Sequence, residues 1–91
     1  MCSIKLLPIM SGRTYPDAGA LLYDRIAPIL DTEDSIILDL EGVDLLPSMF
    51  LNVSIGRIIK EHGLLAIKKI SFRNITESQV QRIKNYIVKV Q

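Results

Sequence analysis

The sequence predicts a small α/β domain, βαβαβα in order, with a mostly parallel or mixed sheet of three to four strands and helices packed on it. Short apolar runs rich in branched residues stand at Ile4–Ile9, Ser35–Leu40 and Leu64–Phe72. Each is followed by apolar residues at helical spacing, and Gly, Pro and hydroxyl residues punctuate the joins. Alternating strands and helices imply right-handed crossovers between parallel strands. The 91 residues form one domain, 1–91, near the usual size of about 100–150 residues.

Taken in order, Ile4–Ile9 is the first expected strand and 11–16 (Ser-Gly-Arg-Thr-Tyr-Pro) a loop. A helix follows from about Asp17, an N-cap candidate, with Ala18, Leu21, Leu22, Arg25 and Ile26 on one face. Pro28 ends or kinks it near 26–30. In the central strand Ile36, Ile37 and Leu38 run consecutively, the pattern of a strand buried on both faces. The second helix starts near Ser48 and carries Phe50, Leu51, Val53, Ser54, Ile55, Ile58 and Ile59 up to a C-terminal stop at Gly63. Gly56 inside it costs about 1 kcal/mol against Ala, which close packing against the sheet would explain. Leu64–Phe72 is the third strand, with Ile67, Ile70 and Phe72 as core candidates. The last helix announces itself best. Thr76 and Gln79 fit a capping box, Ile75 and Val80 a hydrophobic staple, and Val80, Ile83, Ile87 and Val90 a single stripe.

Composition excludes several classes. An apolar fraction of 48% is globular, and no apolar run is long enough to span a bilayer. The N-terminal residues lack the long apolar region and cleavage site of a signal peptide, so a cytoplasmic protein without a membrane partner is expected. Cys2 is the only cysteine and His62 the only histidine, so neither an intrachain disulfide nor a zinc site is expected. Charge is uneven: residues 1–46 carry three basic and eight acidic groups, residues 47–91 eight basic and two acidic. Two solvated faces account for this. Only Phe72 and Tyr86 interleave the cations, which argues against a nucleic-acid platform.

Chemistry-bearing patterns are sparse. Asp39, Glu41 and Asp44 are close in sequence, but acid–base catalysis needs convergence on a cleft. Asp39 is expected to bond backbone amides after the strand, and Glu41 and Asp44 to be solvated around Gly42. His62, beside a helix C-terminus, suits the macrodipole. Ser11-Gly12-Arg13 lacks the further glycines of a dinucleotide loop and the lysine of a P-loop. No enzyme activity, cofactor or metal is expected.

One segment stands apart. Residues 38–43 (Leu-Asp-Leu-Glu-Gly-Val), then 46–52 (Leu-Pro-Ser-Met-Phe-Leu-Asn), then Ile55-Gly56 place a hydroxyl at a helix start beyond a strand's carboxyl end, where α/β proteins commonly bind ligands. This order resembles the centre of STAS-type domains, the fold of anti-sigma-factor antagonists and of sulfate-transporter tails. It is most similar to the bacterial STAS-like domain of unknown function, over about residues 10–90. The resemblance implies a non-enzymatic regulatory module. It also implies a phosphorylated Ser or Thr at the helix start, modified by a partner kinase. Aligned on Asp39, Gly42 and Phe50, that acceptor falls on Met49, and Pro47 replaces a frequent Asp. Ser48 is therefore the candidate phosphoacceptor, or else the helix N-cap.

Two functions follow as expectations. The first is a regulatory protein–protein interaction module that docks a signalling partner, such as a histidine-kinase-like ATPase, through residues 43–52. Asp44, Leu45, Leu46, Pro47, Ser48, Met49 and Asn52 form the surface, with Asp39 and Gly42 shaping the strand end and turn. The second is a small-ligand, nucleotide or anion site at the helix start of Ser48. A small sheet has open edges, and a homodimer is one way to cover them.

Overall fold

Three parallel strands form the sheet in the computed structural model, which describes residues 2–90. β1 (Cys2–Lys5), β2 (Ile36–Asp39) and β3 (Ile70–Arg73) lie side by side in chain order. Their register aligns Cys2, Ile36 and Ile70 in one row and Lys5, Asp39 and Arg73 in the last. Side chains alternate across a sheet. Ile36, Leu38 and Ile70 are buried on one face, while Ser3, Lys5, Ser71 and Arg73 are exposed on the other. The expectation that β2 is buried on both faces is therefore corrected: Ile37 is only half-buried, because its row neighbours Ser3 and Ser71 are too small to cover it.

The first apolar run divides. It is not a strand over Ile4–Ile9: β1 stops at Lys5, and Leu6–Met10 is a short helix, α1. Leu6 and Ile9 share its buried side. Pro8 sits in the first turn, where its missing N–H has no helical partner to lose. Helix α2 (Tyr15–Ile26) starts two residues before Asp17, and its cap is Thr14, whose hydroxyl accepts from the Asp17 N–H at 3.3 Å. Its buried face holds Ala18, Gly19, Leu22, Tyr23 and Ile26, leaving Arg25 exposed. Pro28 lies in a 3-10 turn, Ala27–Ile29, that closes this segment.

The second expected helix is broken in two. α3 (Ser48–Leu51) and α4 (Ile55–His62) are separated by residues 52–54. The Ser54 hydroxyl donates to the Phe50 carbonyl at 2.8 Å, the acceptor that the Ser54 N–H would use in a continuous helix. Gly63, at φ 89°, ends α4 as expected. Residues 64–67 then form a helical turn, α5 (Leu64–Ile67), instead of extending the third strand, which is confined to β3. Gly56 packs against the Tyr86 hydroxyl of α6 (Glu77–Val90) and not against the sheet.

The core gathers Leu6, Leu22, Ile26, Ile36, Leu40, Phe50 and Ile58, each at most 1% exposed. Each such side chain contributes about 1.5–3 kcal/mol by leaving water. No buried side-chain nitrogen or oxygen among the described residues lacks a partner. None of their helices is long and apolar enough to cross a membrane.

Candidate functional site

The segment after β2 is built by a turn, a buried anchor and a clamp. The Val43 N–H donates to the Leu40 carbonyl at 2.9 Å, closing a turn with Gly42 at φ 83°. That conformation favours glycine, and a side chain at position 42 would also meet Leu7. Val43 and Leu46 then fall inward, with Leu46 only 3% exposed. Leu46 is therefore an anchor and not part of the docking surface, which corrects its expected role.

Three side chains of α6 hold this segment from behind. Gln79 Nε2 donates to the Val43 carbonyl at 2.6 Å and the Asp44 carbonyl at 3.3 Å. Arg82 Nε donates to the Leu46 carbonyl at 2.6 Å, and its Nη2 donates to Ser48 Oγ at 3.3 Å. Tyr86 Oη donates to Asn52 Oδ1 at 2.6 Å. Positions 79, 82 and 86 share one helix face, so one face of α6 fixes both ends of the segment. Gln79 also completes the expected box: Thr76 N–H donates to its Oε1 at 3.0 Å, and its own N–H donates to Thr76 Oγ1 at 3.2 Å.

Two large apolar side chains remain outward. Leu45 is 64% exposed and Met49 54%, beside exposed Asp44, Ser48 and Asn52 and half-buried Pro47. Leu45 forms a ridge between two shallow depressions. One, of about 270 Å³, runs to Leu7, Met10 and Tyr15; the other, of about 300 Å³, runs to Ser78 and Arg82. Ser48 is the first residue of α3, and Pro47 stands at the N-cap without a side-chain bond. The N-cap reading of Ser48 is thus corrected. With only four residues, α3 has too few aligned peptides to make an anion site of its N-terminus.

Asp39 does what its position suggested. Its Oδ1 accepts from the Glu41 N–H at 3.0 Å and, unforeseen in the sequence, from Asn74 Nδ2 at 2.9 Å. Asn74 sits at φ 55°, a conformation Asn tolerates. The Asn74 amide and then the Glu41 N–H hold the Asp39 carboxyl below its usual range, and Arg73 and Lys5 add to this. Glu61 is lowered too, first by Arg57 and then by Tyr23. A carboxyl with a depressed folded pKa contributes stability above its unfolded value, about 4, that is lost as pH falls through the folded value. Below about pH 4 the protein should therefore lose stability progressively. Asn74→Gly keeps the backbone conformation but removes the amide. It should flatten that acid limb in chemical denaturation measured from pH 6 to pH 2; an unchanged slope would assign the limb to other groups.

A second polar cluster was missed because its members lie far apart in sequence. Tyr23 Oη donates to Glu61 Oε1 at 3.1 Å and lies 3.1 Å from His62 Nε2. Arg57 bonds Glu61 at 2.7 Å and covers the Tyr23 ring. Burial and the Glu61 carboxylate push the Tyr23 phenol up. The cluster ties α2 to α4, so His62 does more than face a helix terminus.

These features define a small parallel α/β domain whose middle loop is presented at the carboxyl edge of the sheet and fixed by the last helix. The chain belongs to the family of STAS-like domains of unknown function, whose model matches residues 18–80. Comparison with curated proteins and with solved structures gave no match.

Proposed function

We propose that this domain is a non-enzymatic regulatory module that docks a signalling protein through the outward side of residues 43–52. The supporting observation is the pairing of exposed Leu45 and Met49 with a backbone held in place by Gln79, Arg82 and Tyr86. Exposed apolar side chains on a preorganised segment bind with a small ordering cost, and methionine adapts to a partner's contours. The resemblance to anti-sigma-factor antagonists favours a histidine-kinase-like ATPase as the partner. Ser48 is the hydroxyl available for modification: a phosphate there would sit beside Arg82 and place about two negative charges next to the apolar ridge.

The test is affinity capture from the native cell with three versions of the chain. A partner retained by the wild type and by Leu65→Asp should be lost with the double variant Leu45→Asp/Met49→Asp. Leu65 is an apt control because it is 73% exposed yet outside the loop and both of its depressions. Mass spectrometry of the recovered chain reports Ser48 directly. Equal retention by the double variant would remove the loop as the interface.

A further inference from the structure

Residues 1–46 hold eight acidic groups and only three basic ones, Lys5, Arg13 and Arg25. All three line a single depression of about 270 Å³, together with Ser3, Ile4, Pro8, Ile9 and Leu21, and among the described residues no carboxylate lines it. Sequence separation gives no reason for this. The fold gathers them from β1, the loop after α1, and the last turn of α2.

The place of this depression is the second observation. Consecutive side chains of a strand point to opposite faces, yet Ser3, Ile4 and Lys5 all line it. It therefore runs along the side of the strand and not over one face. That side is open, since β1 is an edge of the sheet with β2 as its neighbour. The Cys2 N–H donates inward to the Ser35 carbonyl. Alternation then turns the N–H and C=O of Ser3, and the N–H of Lys5, outward. An unpaired edge of this kind is a template for strand addition. The cations set what it accepts. Arg13 is held in place by bonds from Nη1 to the Pro8 and Ile9 carbonyls at 3.2 and 3.1 Å. Lys5 also faces Asp39 across the sheet register, so Arg13 and Arg25 supply most of the uncompensated charge.

We propose that the outer edge of β1 takes an extended acidic segment of a partner protein as a fourth strand. Its backbone pairs with Ser3 and Lys5, and its carboxylates meet Arg25, Arg13 and Lys5. This surface shares no residue with the loop at 43–52, so the two proposals stand or fall separately.

The probe is a synthetic Glu-Val-Glu-Val-Glu peptide titrated into the isotope-labelled full chain, read by amide NMR and hydrogen exchange. Its Gln-Val counterpart and inorganic phosphate are titrated in parallel. The acidic peptide should shift the amides of Ser3, Ile4 and Lys5 saturably and slow exchange at Ser3 and Lys5, whereas the Gln-Val peptide should not. Arg25→Glu should weaken binding about tenfold or more, and added salt should do the same to the wild type. Ser3→Pro removes the outward donor without changing charge, a substitution edge strands accept. It should abolish peptide binding while leaving any phosphate response intact. Peptide binding that survives Ser3→Pro would reduce the site to a simple anion patch. Absence of any saturable shift along β1 would overturn the proposal outright.

Discussion

Replacing Gly19 with alanine should cost about 2 kcal/mol of folding stability, despite the gain of about 0.5–1 kcal/mol that alanine normally brings to a helix interior. A Cβ at this position would stand 2.6 Å from the Phe50 carbonyl oxygen and would overlap a Val53 methyl. The carbonyl belongs to α3 and already receives the Ser54 hydroxyl, so it cannot swing aside without loosening the break between α3 and α4. Overpacking of this kind costs about 1–3 kcal/mol. A domain of this length has only about 5–14 kcal/mol in total. Urea unfolding gives the answer, with the double variant Gly19→Ala/Val53→Ala separating the methyl from the carbonyl. Removing the Val53 methyl should recover part of the loss and leave the rest. Gly19→Ala as stable as the wild type would mean that α2 rides farther from α3 than the geometry indicates.

Gln79 should prove the most consequential side chain in the loop's support. Its amide bonds the Val43 and Asp44 carbonyls, while its Oε1 and backbone serve the helix start. The two duties can be separated. Gln79→Glu retains an acceptor suited to the capping box but loses the donor to the loop and sets a buried carboxylate oxygen against the Val43 carbonyl. A buried carbonyl left without a partner costs about 1–3 kcal/mol. Gln79→Leu loses the loop donor and the Oε1 half of the capping box, while its backbone N–H keeps the bond to Thr76 Oγ1. The expected order of stability is wild type, then Gln79→Leu, then Gln79→Glu, with losses of about 2 and 4 kcal/mol. Hydrogen exchange should quicken over residues 43–46 in both variants. At the N-terminus of α6 it should quicken only in Gln79→Leu. Gln79→Glu as stable as Gln79→Leu would show that the Val43 carbonyl has moved away from position 79.

These two residues also show what is legible in a sequence. Thr76 and Gln79 are three apart, so local hydrogen bonding alone fixes the start of α6, and it forms as read. The second duty of Gln79 spans 36 positions and leaves no local pattern. The same holds for Asn74 with Asp39, and for Tyr23 with Glu61 and His62, at separations of 35, 38 and 39. The two apolar runs whose boundaries moved have one cause in common. In Ile4–Ile9 and Leu64–Phe72, apolar residues run without a clear period, so strand and helix remain equally compatible until tertiary packing chooses. At Ser54 a hydroxyl on the apolar stripe took a backbone acceptor and interrupted a helix that periodicity alone would continue. The strand–turn–helix segment was readable because Gly42 permits the positive-φ turn and Pro47 fixes the backbone just before the helix. Which of its side chains face outward was not, since Leu45 and Leu46 are identical in kind and opposite in exposure, 64% against 3%.

The clamp on the middle loop has a consequence for how the protein comes into being. The side-chain hydrogen bonds that clamp residues 43–52 to α6 come from positions 79, 82 and 86, between 34 and 36 residues downstream. During synthesis the strands and the first helices emerge well before the helix that secures the loop, so the outward ridge of Leu45 and Met49 acquires its shape only when α6 docks. A chain halted before residue 77 would carry the residues of all three strands yet lack the clamp on the loop. The exposed shape of the loop is thus set by docking of α6 and not by the loop's own residues.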